Sequence, residues 1–307
     1  MVGSGRSDRR DRHWTAAELM EVTVSETPGA SDESWGWASD WTDHREWLER
    51  LDTSVVHPAR RYNYWLGGKD NFAADRESGD ATAAMFPTIR TAVVENRRFL
   101  RRAVTLLTRE AGIRQFLDIG TGLPSADNTH EVAQRLAPEA RVVYVDNDPL
   151  VMVHARALLK RAFDAGVTDY IEADLRDPDK ILEEARRTLD FTQPVALMLV
   201  AVLHFIREEE DPYALVARLV NALPSGSYLV ISHGTGEWLT EEVIAESATG
   251  PAPIWFRSRE QFARFFDGLE LLEPGIGSAA YWRAENEPQP RPSEQEISMY
   301  CAVARIP

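Results

Sequence analysis

The sequence predicts a three-layer α/β protein: a seven-stranded, mostly parallel sheet with one antiparallel strand, preceded by a helical cap. Three observations carry this. Between residues 115 and 232, short apolar runs alternate with segments of helical composition, the order that folds as a parallel sheet covered by helices. Asp-Pro pairs follow three of these runs, at Asp148-Pro149, Asp177-Pro178 and Asp211-Pro212. Asp caps free N–H groups and Pro suits the first helical position, so each pair opens a helix. Two further apolar runs, at 269–272 and 297–303, have no helix between them. Strands joined in that way pair as a hairpin, which makes one of them antiparallel.

Residues 1–40 are rich in Ser, Gly, Asp, Glu and Arg and lack sustained periodicity. They are expected to form a mobile extension, although Trp14, Trp35, Trp37 and Trp41 are unusual in one. A cap is expected over 41–112. It starts with a short helix over 43–51. Pro58 then opens a helix through Trp65, which Gly67-Gly68 stops. Ile89, Val93, Leu100, Val104 and Leu107 stand at helical spacing and predict an amphipathic helix of roughly five turns. Arg97, Arg98, Arg101 and Arg102 read as its solvated side, and Gly112 ends it.

The sheet domain is expected over 113–307. Its strands are read at 115–119, 141–145, 170–172, 195–200 and 228–232, with a first helix over 126–136 and the others opened by the Asp-Pro pairs. Ser258 and Gln261 form a capping box for a helix through Phe266. Residues 283–296, rich in Pro, Glu and Gln, read as a long exposed loop.

Composition narrows the classes of function. Of the 307 residues 44% are apolar, enough for a full core. No apolar run approaches the roughly 20 residues that span a bilayer. The polar N-terminus lacks the apolar stretch of a secretory signal. A cytoplasmic protein with no membrane partner is therefore expected. The formal net charge of -15 argues against a nucleic-acid partner, since binding to phosphates needs clustered Lys and Arg. Cys301 is the single cysteine, so no intrachain disulfide or cysteine-rich metal site is possible. The seven His residues lack metal-binding spacing, and no metal is expected.

Chemistry concentrates around residues 114–136. The run Phe116-Leu117 leads to Asp118, then Gly120-Thr121-Gly122, then a helical segment. A strand, a glycine turn and a helix together turn backbone N–H groups towards a ligand. The acid is informative: a diphosphate gains nothing from a carboxylate there, whereas an ammonium or sulfonium does. Ligands of open parallel sheets sit beyond the carboxyl ends of the strands. Those ends carry Asp146 and Asn147 after strand two, Asp174 and Leu175 after strand three, His204 after strand four and His233 after strand five. Asp146 suits a ribose diol, although a solvated loop acid is the plainer alternative. Asp174 suits an adenine amine, or closes the strand as a turn former. The third position of a dinucleotide fingerprint is Ser125, behind Pro124. A cationic adenosine derivative, S-adenosylmethionine, therefore fits better than NAD. A nicotinamide-dependent oxidoreductase and a non-catalytic cofactor-binding regulator stay as alternatives.

The acceptor side is read from the cap. Tyr62, Asn63, Tyr64, Trp65, Lys69, Asp70 and Asn71 put many ligand-capable groups into ten residues. Tyr62, Tyr64 and Trp65 would wall a pocket, Asn63 and Asn71 would contact substrate, and Gly67-Gly68 would hinge a lid. Lys69 would meet an acidic substrate group or pair with Asp70 or Asp75. His204 and His233 are the candidate general bases. Their alternative is a histidine bonded to backbone.

The motifs His57-Pro58-Ala59-Arg60, Tyr62-Asn63-Tyr64, Leu66-Gly67-Gly68-Lys69-Asp70-Asn71-Phe72, Asp75-Arg76, Asn96-Arg97, the 116–122 run, Tyr144–Pro149, Leu203-His204-Phe205 and Ser232-His233 add a resemblance. Over residues 45–307 the chain resembles the Rossmann-like, class I S-adenosylmethionine methyltransferases. More narrowly, it resembles a bacterial S-adenosyl methyltransferase family first catalogued as a domain of unknown function. The Leu66–Phe72 stretch is its most specific piece. The resemblance implies a seven-stranded methyltransferase fold and cofactor contacts at Asp118, Gly120, Gly122, Asp146 and Asp174. It implies no particular substrate. The expected activity is methyl transfer from S-adenosylmethionine to a small-molecule acceptor.

Overall fold

The computed structural model describes residues 50–159 and 166–307. The expected extension over 1–40 lies outside them, as does nearly all of the expected helix over 43–51. The cap consists of α1 (Pro58–Trp65), α2 (Ala73–Met85) and α3 (Ile89–Arg109). The His57 side chain accepts from the Ala59 N–H at the start of α1, and Gly67 ends the helix at φ 81°. Asp75 holds the two short helices together. Its oxygens accept from the N–H groups of His57 and Phe72, both at 2.9 Å.

The sheet has β1 (Gln115–Ile119), β2 (Arg141–Asp146), β3 (Val167–Glu172), β4 (Ala196–Val200), β5 (Tyr228–Gly234), β6 (Glu270–Leu271), β7 (Gly277–Ser278) and β8 (Met299–Arg305). The spatial order is β3-β2-β1-β4-β5-β8-β6. β1 to β5 are mutually parallel, and β8 is antiparallel to β5 and to β6. That is the expected seven-strand arrangement, with two refinements. The two-residue β7 also pairs with β8. Because β7 falls between β6 and β8 in the chain, the antiparallel pair is not a direct hairpin.

The remaining helices are α4 (Thr129–Leu136), α5 (Pro149–Leu159), α6 (Pro178–Ala185), α7 (Pro212–Val220), α8 (Glu241–Thr249), α9 (Arg259–Ala263) and α10 (Glu294–Ile297). All three Asp-Pro pairs open helices. Asp177 and Asp211 accept from the N–H three residues on. Side chains alternate across β1. Leu117 and Ile119 pack with α6 and α7, while Phe116 packs with α3 and α4. These are the two apolar layers on either side of the sheet.

The arginine run on α3 is not a solvated face. Arg102 donates to the carbonyls of Trp282 and Ala279 at 2.8 and 2.6 Å and pairs with Glu287. Arg101 reaches the same carboxylate. Arg98 pairs with Glu95, which Arg291 also reaches. Arg97 donates to the carbonyls of Ala126 and Asp127. The expected exposed loop over 283–296 is therefore pinned to α3, with Ala284 and Glu287 buried. Charge-assisted bonds to carbonyls and carboxylates hold a polar segment that has little apolar surface to bury. Among the described residues, no helix is long and apolar enough to cross a membrane, and no group of three His, Cys, Asp or Glu is placed to hold a metal ion.

Candidate active site

The carboxyl ends of the parallel strands border one cavity of about 410 Å³, which α1, α2 and α3 line from above and residues 251–256 line at the far end. Its size is that of a small-molecule site.

The glycine turn after β1 forms one wall. Gly120 and Gly122 take φ of 73° and 68°, a conformation that glycine alone adopts without strain. A Cβ on Gly120 would stand 2.4 Å from Cγ2 of Val202. β2 holds this turn in place. The Val145 carbonyl accepts from the Gly120 and Thr121 N–H groups at 2.8 and 3.3 Å. Asp146 accepts from the Gly122 N–H at 2.7 Å through one oxygen and from the Asp148 N–H at 3.0 Å through the other.

Two buried carboxylates stand together here. Asp118 accepts from the Thr129 hydroxyl at 2.6 Å. Burial pushes its carboxyl up to about 6, against that hydrogen bond and the nearby Arg97 guanidinium. Burial also raises Asp146, opposed by His57 and by its two backbone N–H partners. Asp174 is more open. Asn147 donates to it at 2.8 Å, and Arg176 pairs with it and with Glu210. Asp118, Gly120, Thr121, Gly122, Asp146, Asn147, Asp174 and Leu175 all line the cavity.

The cap residues divide. Tyr62, Asn63 and Trp65 line the cavity; Tyr64, Lys69 and Asn71 do not. Tyr64 donates to Asp80 at 2.7 Å and lies under the Arg90 guanidinium. Lys69 is exposed, and Asp75, one of its two expected partners, is taken by backbone N–H groups. Asn71 donates to the Asn63 side chain and to the Gly68 carbonyl. Asn63 also accepts from the Asp70 N–H through its side chain and from the Gly68 N–H through its carbonyl. The expected hinge is thus a braced turn, in which a Cβ on Gly68 would meet the Asn63 side chain at 2.3 Å.

Tyr62 ties the cap to the strand ends. Its hydroxyl donates to the Val93 carbonyl at 3.1 Å and accepts from Asn96 at 2.9 Å. Asn96 in turn accepts from the Ser232 hydroxyl at 2.6 Å, and the Ala201 N–H donates to that hydroxyl at 3.0 Å.

The two histidines differ. His233 is buried and does not line the cavity. Its Nε2 accepts from Arg257 at 2.8 Å, so its Nδ1 carries the proton and donates to the Gly234 carbonyl at 2.7 Å. With both nitrogens engaged, it has no site for a substrate proton, which corrects its expected place as a base. His204 does line the cavity. The Gly234 N–H donates to its Nδ1 at 3.4 Å, which puts the ring proton on Nε2. Burial, Arg61 and Arg257 push its pKa down to about 3. In this setting the neutral His204 ring offers its Nε2–H as a hydrogen-bond donor.

The structure adds cavity residues that sequence reasoning passed over as site residues: His57, Arg61, Asn96, Arg97, Arg176 and the 251–256 segment. The segment Pro251-Ala252-Pro253-Ile254-Trp255-Phe256 carried a signal, an apolar and aromatic run directly after two closely spaced prolines, with no helical or strand period. The Trp255 N–H donates to the His204 carbonyl at 2.8 Å. Arg97 was hidden by its place in a run of four arginines.

Comparison with known proteins finds relatives over most of the chain. The profile of the S-adenosyl methyltransferase family matches residues 44–307. The crystal structure of a DUF574-family protein from Streptomyces avermitilis is 46% identical, with a TM-score of 0.77, over 83% of this chain and 99% of that one. The structure of a candidate methyltransferase from Thermobifida fusca is 40% identical, with a TM-score of 0.78, over 84% and 97%. No curated protein sequence matches the chain.

Proposed function

The chain belongs to the S-adenosyl methyltransferase family, and from that membership we propose that it transfers a methyl group from S-adenosylmethionine to a small molecule held beneath the cap. The observation that carries the proposal is the bond from the Gly122 N–H to Asp146. It joins the glycine turn to the acid ending β2, beside the buried Asp118. A desolvated carboxylate facing a cavity suits a cationic ligand, and a carboxylate already aligned by backbone N–H groups suits a diol.

S-adenosylmethionine supplies a methyl group made electrophilic by its sulfonium. The chain's own residues bind and orient. Asp146 has lone pairs left for the ribose hydroxyls. Asp118 balances the ammonium of the methionyl part, with Arg97 on hand for the carboxylate. Asp174, Leu175, Thr121 and Asn147 border the adenine and ribose. Tyr62, Asn63 and Trp65 wall the acceptor end and keep water from it, so an acceptor atom can stand about 3–3.5 Å from the methyl group.

Isothermal titration with S-adenosylhomocysteine and, separately, with NAD tests this reading. Binding of S-adenosylhomocysteine is expected. NAD binding without it would favour an oxidoreductase on the same kind of sheet.

A further inference from the structure

The acceptor end of the cavity lies beyond β4 and β5, and two of its polar groups, Arg61 and His204, point to one kind of ligand. Arg61 lines it and is 4% exposed. Its Nη1 donates to the Ser78 hydroxyl at 3.2 Å and its Nη2 to the Ala252 carbonyl at 2.9 Å. Both partners are neutral, each terminal nitrogen keeps a spare hydrogen, and Nε has no partner. No carboxylate of the described residues forms an ion pair with it; Asp75, the acid that acts on its charge from a distance, is held by backbone N–H groups. A buried guanidinium without a counter-ion is costly until one arrives.

His204 stands at the same end and offers a second donor. Its Nε2 carries the ring proton and has no hydrogen-bond partner among the described residues. The third consideration is the lack of a base. The Asp and Glu residues that line the cavity are Asp118, Asp146 and Asp174, which stand over β1, β2 and β3. His57, the other titratable side chain of the lining besides His204 that could take a proton, stands with Asp146 and Asp148 at the end of β2. A phenol, alcohol or ammonium would have to lose a proton before attack, and no carboxylate or second histidine of the lining stands over β4 and β5 to take one.

We propose that the acceptor is an aromatic carboxylic acid, bound as its carboxylate by Arg61 and the His204 Nε2–H and methylated on a carboxylate oxygen. This rests on the methyltransferase reading above. A carboxylic acid is already ionised at neutral pH, so no base is needed. One carboxylate oxygen forms a bond to the methyl carbon as the carbon–sulfur bond breaks, and the bonding pair stays on sulfur. The products are a neutral methyl ester and the thioether of S-adenosylhomocysteine. The two opposite charges cancel and no proton moves. Trp65, Phe86, Trp255 and Phe256 line the rest of this end, which suits a planar ring.

The test uses the full chain saturated with S-adenosylhomocysteine, titrated with 2-naphthoate, cinnamate, their amides and the matching arylmethylamines. Each acid is expected to bind at least tenfold tighter than its amide. Arg61→Gln should remove that preference while S-adenosylhomocysteine affinity stays unchanged. With methyl-labelled S-adenosylmethionine, label transferred to an acid should be released as methanol by alkali. Amides or amines binding as well as the acids, no saturable binding of either acid, or alkali-stable label would each overturn the proposal. The acid-to-amide comparison in the unaltered protein stands even if Arg61→Gln fails to fold. Failure to bind S-adenosylhomocysteine would instead strike at the methyltransferase reading itself.

Discussion

Arg60 grips Asp148 by both carboxylate oxygens, with Nε and Nη2 each 2.9 Å from one of them. Both side chains are buried, and the pair fastens α1 of the cap to the end of β2. Asp148 was read as a simple helix cap. It does accept from the Leu150 N–H, but its larger role is this tether. Arg60→Met leaves the buried carboxylate with only His57, whose Nδ1 is 3.2 Å away, and the Leu150 N–H, and is expected to cost about 3 kcal/mol of stability. Chemical denaturation measures this. Arg60→Met with Asp148→Asn should cost clearly less than the two single changes added together.

Asp146 is predicted to matter for the cofactor more than for the fold. Asp146→Ala removes the acceptor for the Gly122 N–H and for the ribose together. S-adenosylhomocysteine binding should weaken by roughly 1–3 kcal/mol. Unchanged affinity in calorimetry removes Asp146 from the ribose site.

Cofactor binding should depend on pH through Asp118. In the free protein burial holds this carboxyl up at about 6, so near pH 5 it is mostly protonated. An ammonium beside it favours the ionised form and lowers its pKa in the complex. The complex then carries fewer protons than the free protein, and affinity rises as pH rises from about 5 to about 7 before levelling. Asp118→Asn should flatten the profile. A flat profile in the unaltered protein places the ammonium elsewhere.

The histidines are expected to separate. With its pKa held down at about 3, His204 stays neutral across the working range, and turnover should show no limb near pH 6.5. His204→Gln, which keeps an N–H donor, should retain more turnover than His204→Phe, by at least tenfold. A limb that disappears in His204→Gln would restore it as a base. His233→Ala should act on stability, because it strips Arg257 and the Gly234 carbonyl of a buried partner.

The β–α order was legible because its signals are local. Apolar runs, the Asp-Pro caps and the Ser258–Gln261 box each act within a few residues. That Asp118, the glycine turn, Asp146 and Asp174 would border one cavity was legible for the same reason, since parallel strands bring their carboxyl ends together. The cap was harder. Tyr62 and Tyr64 are two residues apart on one helix and so face different ways, yet composition treats them alike. Asn63 and Asn71 looked ligand-capable because their mutual bond only exists once the Gly67-Gly68 turn has folded. The arginines of α3 looked solvated because their carbonyl partners lie far along the chain. Charge on a helix shows its destination only when the segment that covers it is known.

The position of β8 has a consequence for how the chain folds. It pairs with β5 on one side and with β6 and β7 on the other, yet it is made after all seven of the other described strands. Until it arrives, the full length of β5 is an open edge, and β6 and β7 have nothing to join. An unpaired edge is where nascent chains pair wrongly or aggregate. Truncating the chain before Met299 should therefore leave the five parallel strands β1 to β5 with a sticky margin along β5, and the closing of that margin is a late, long-range step in assembly.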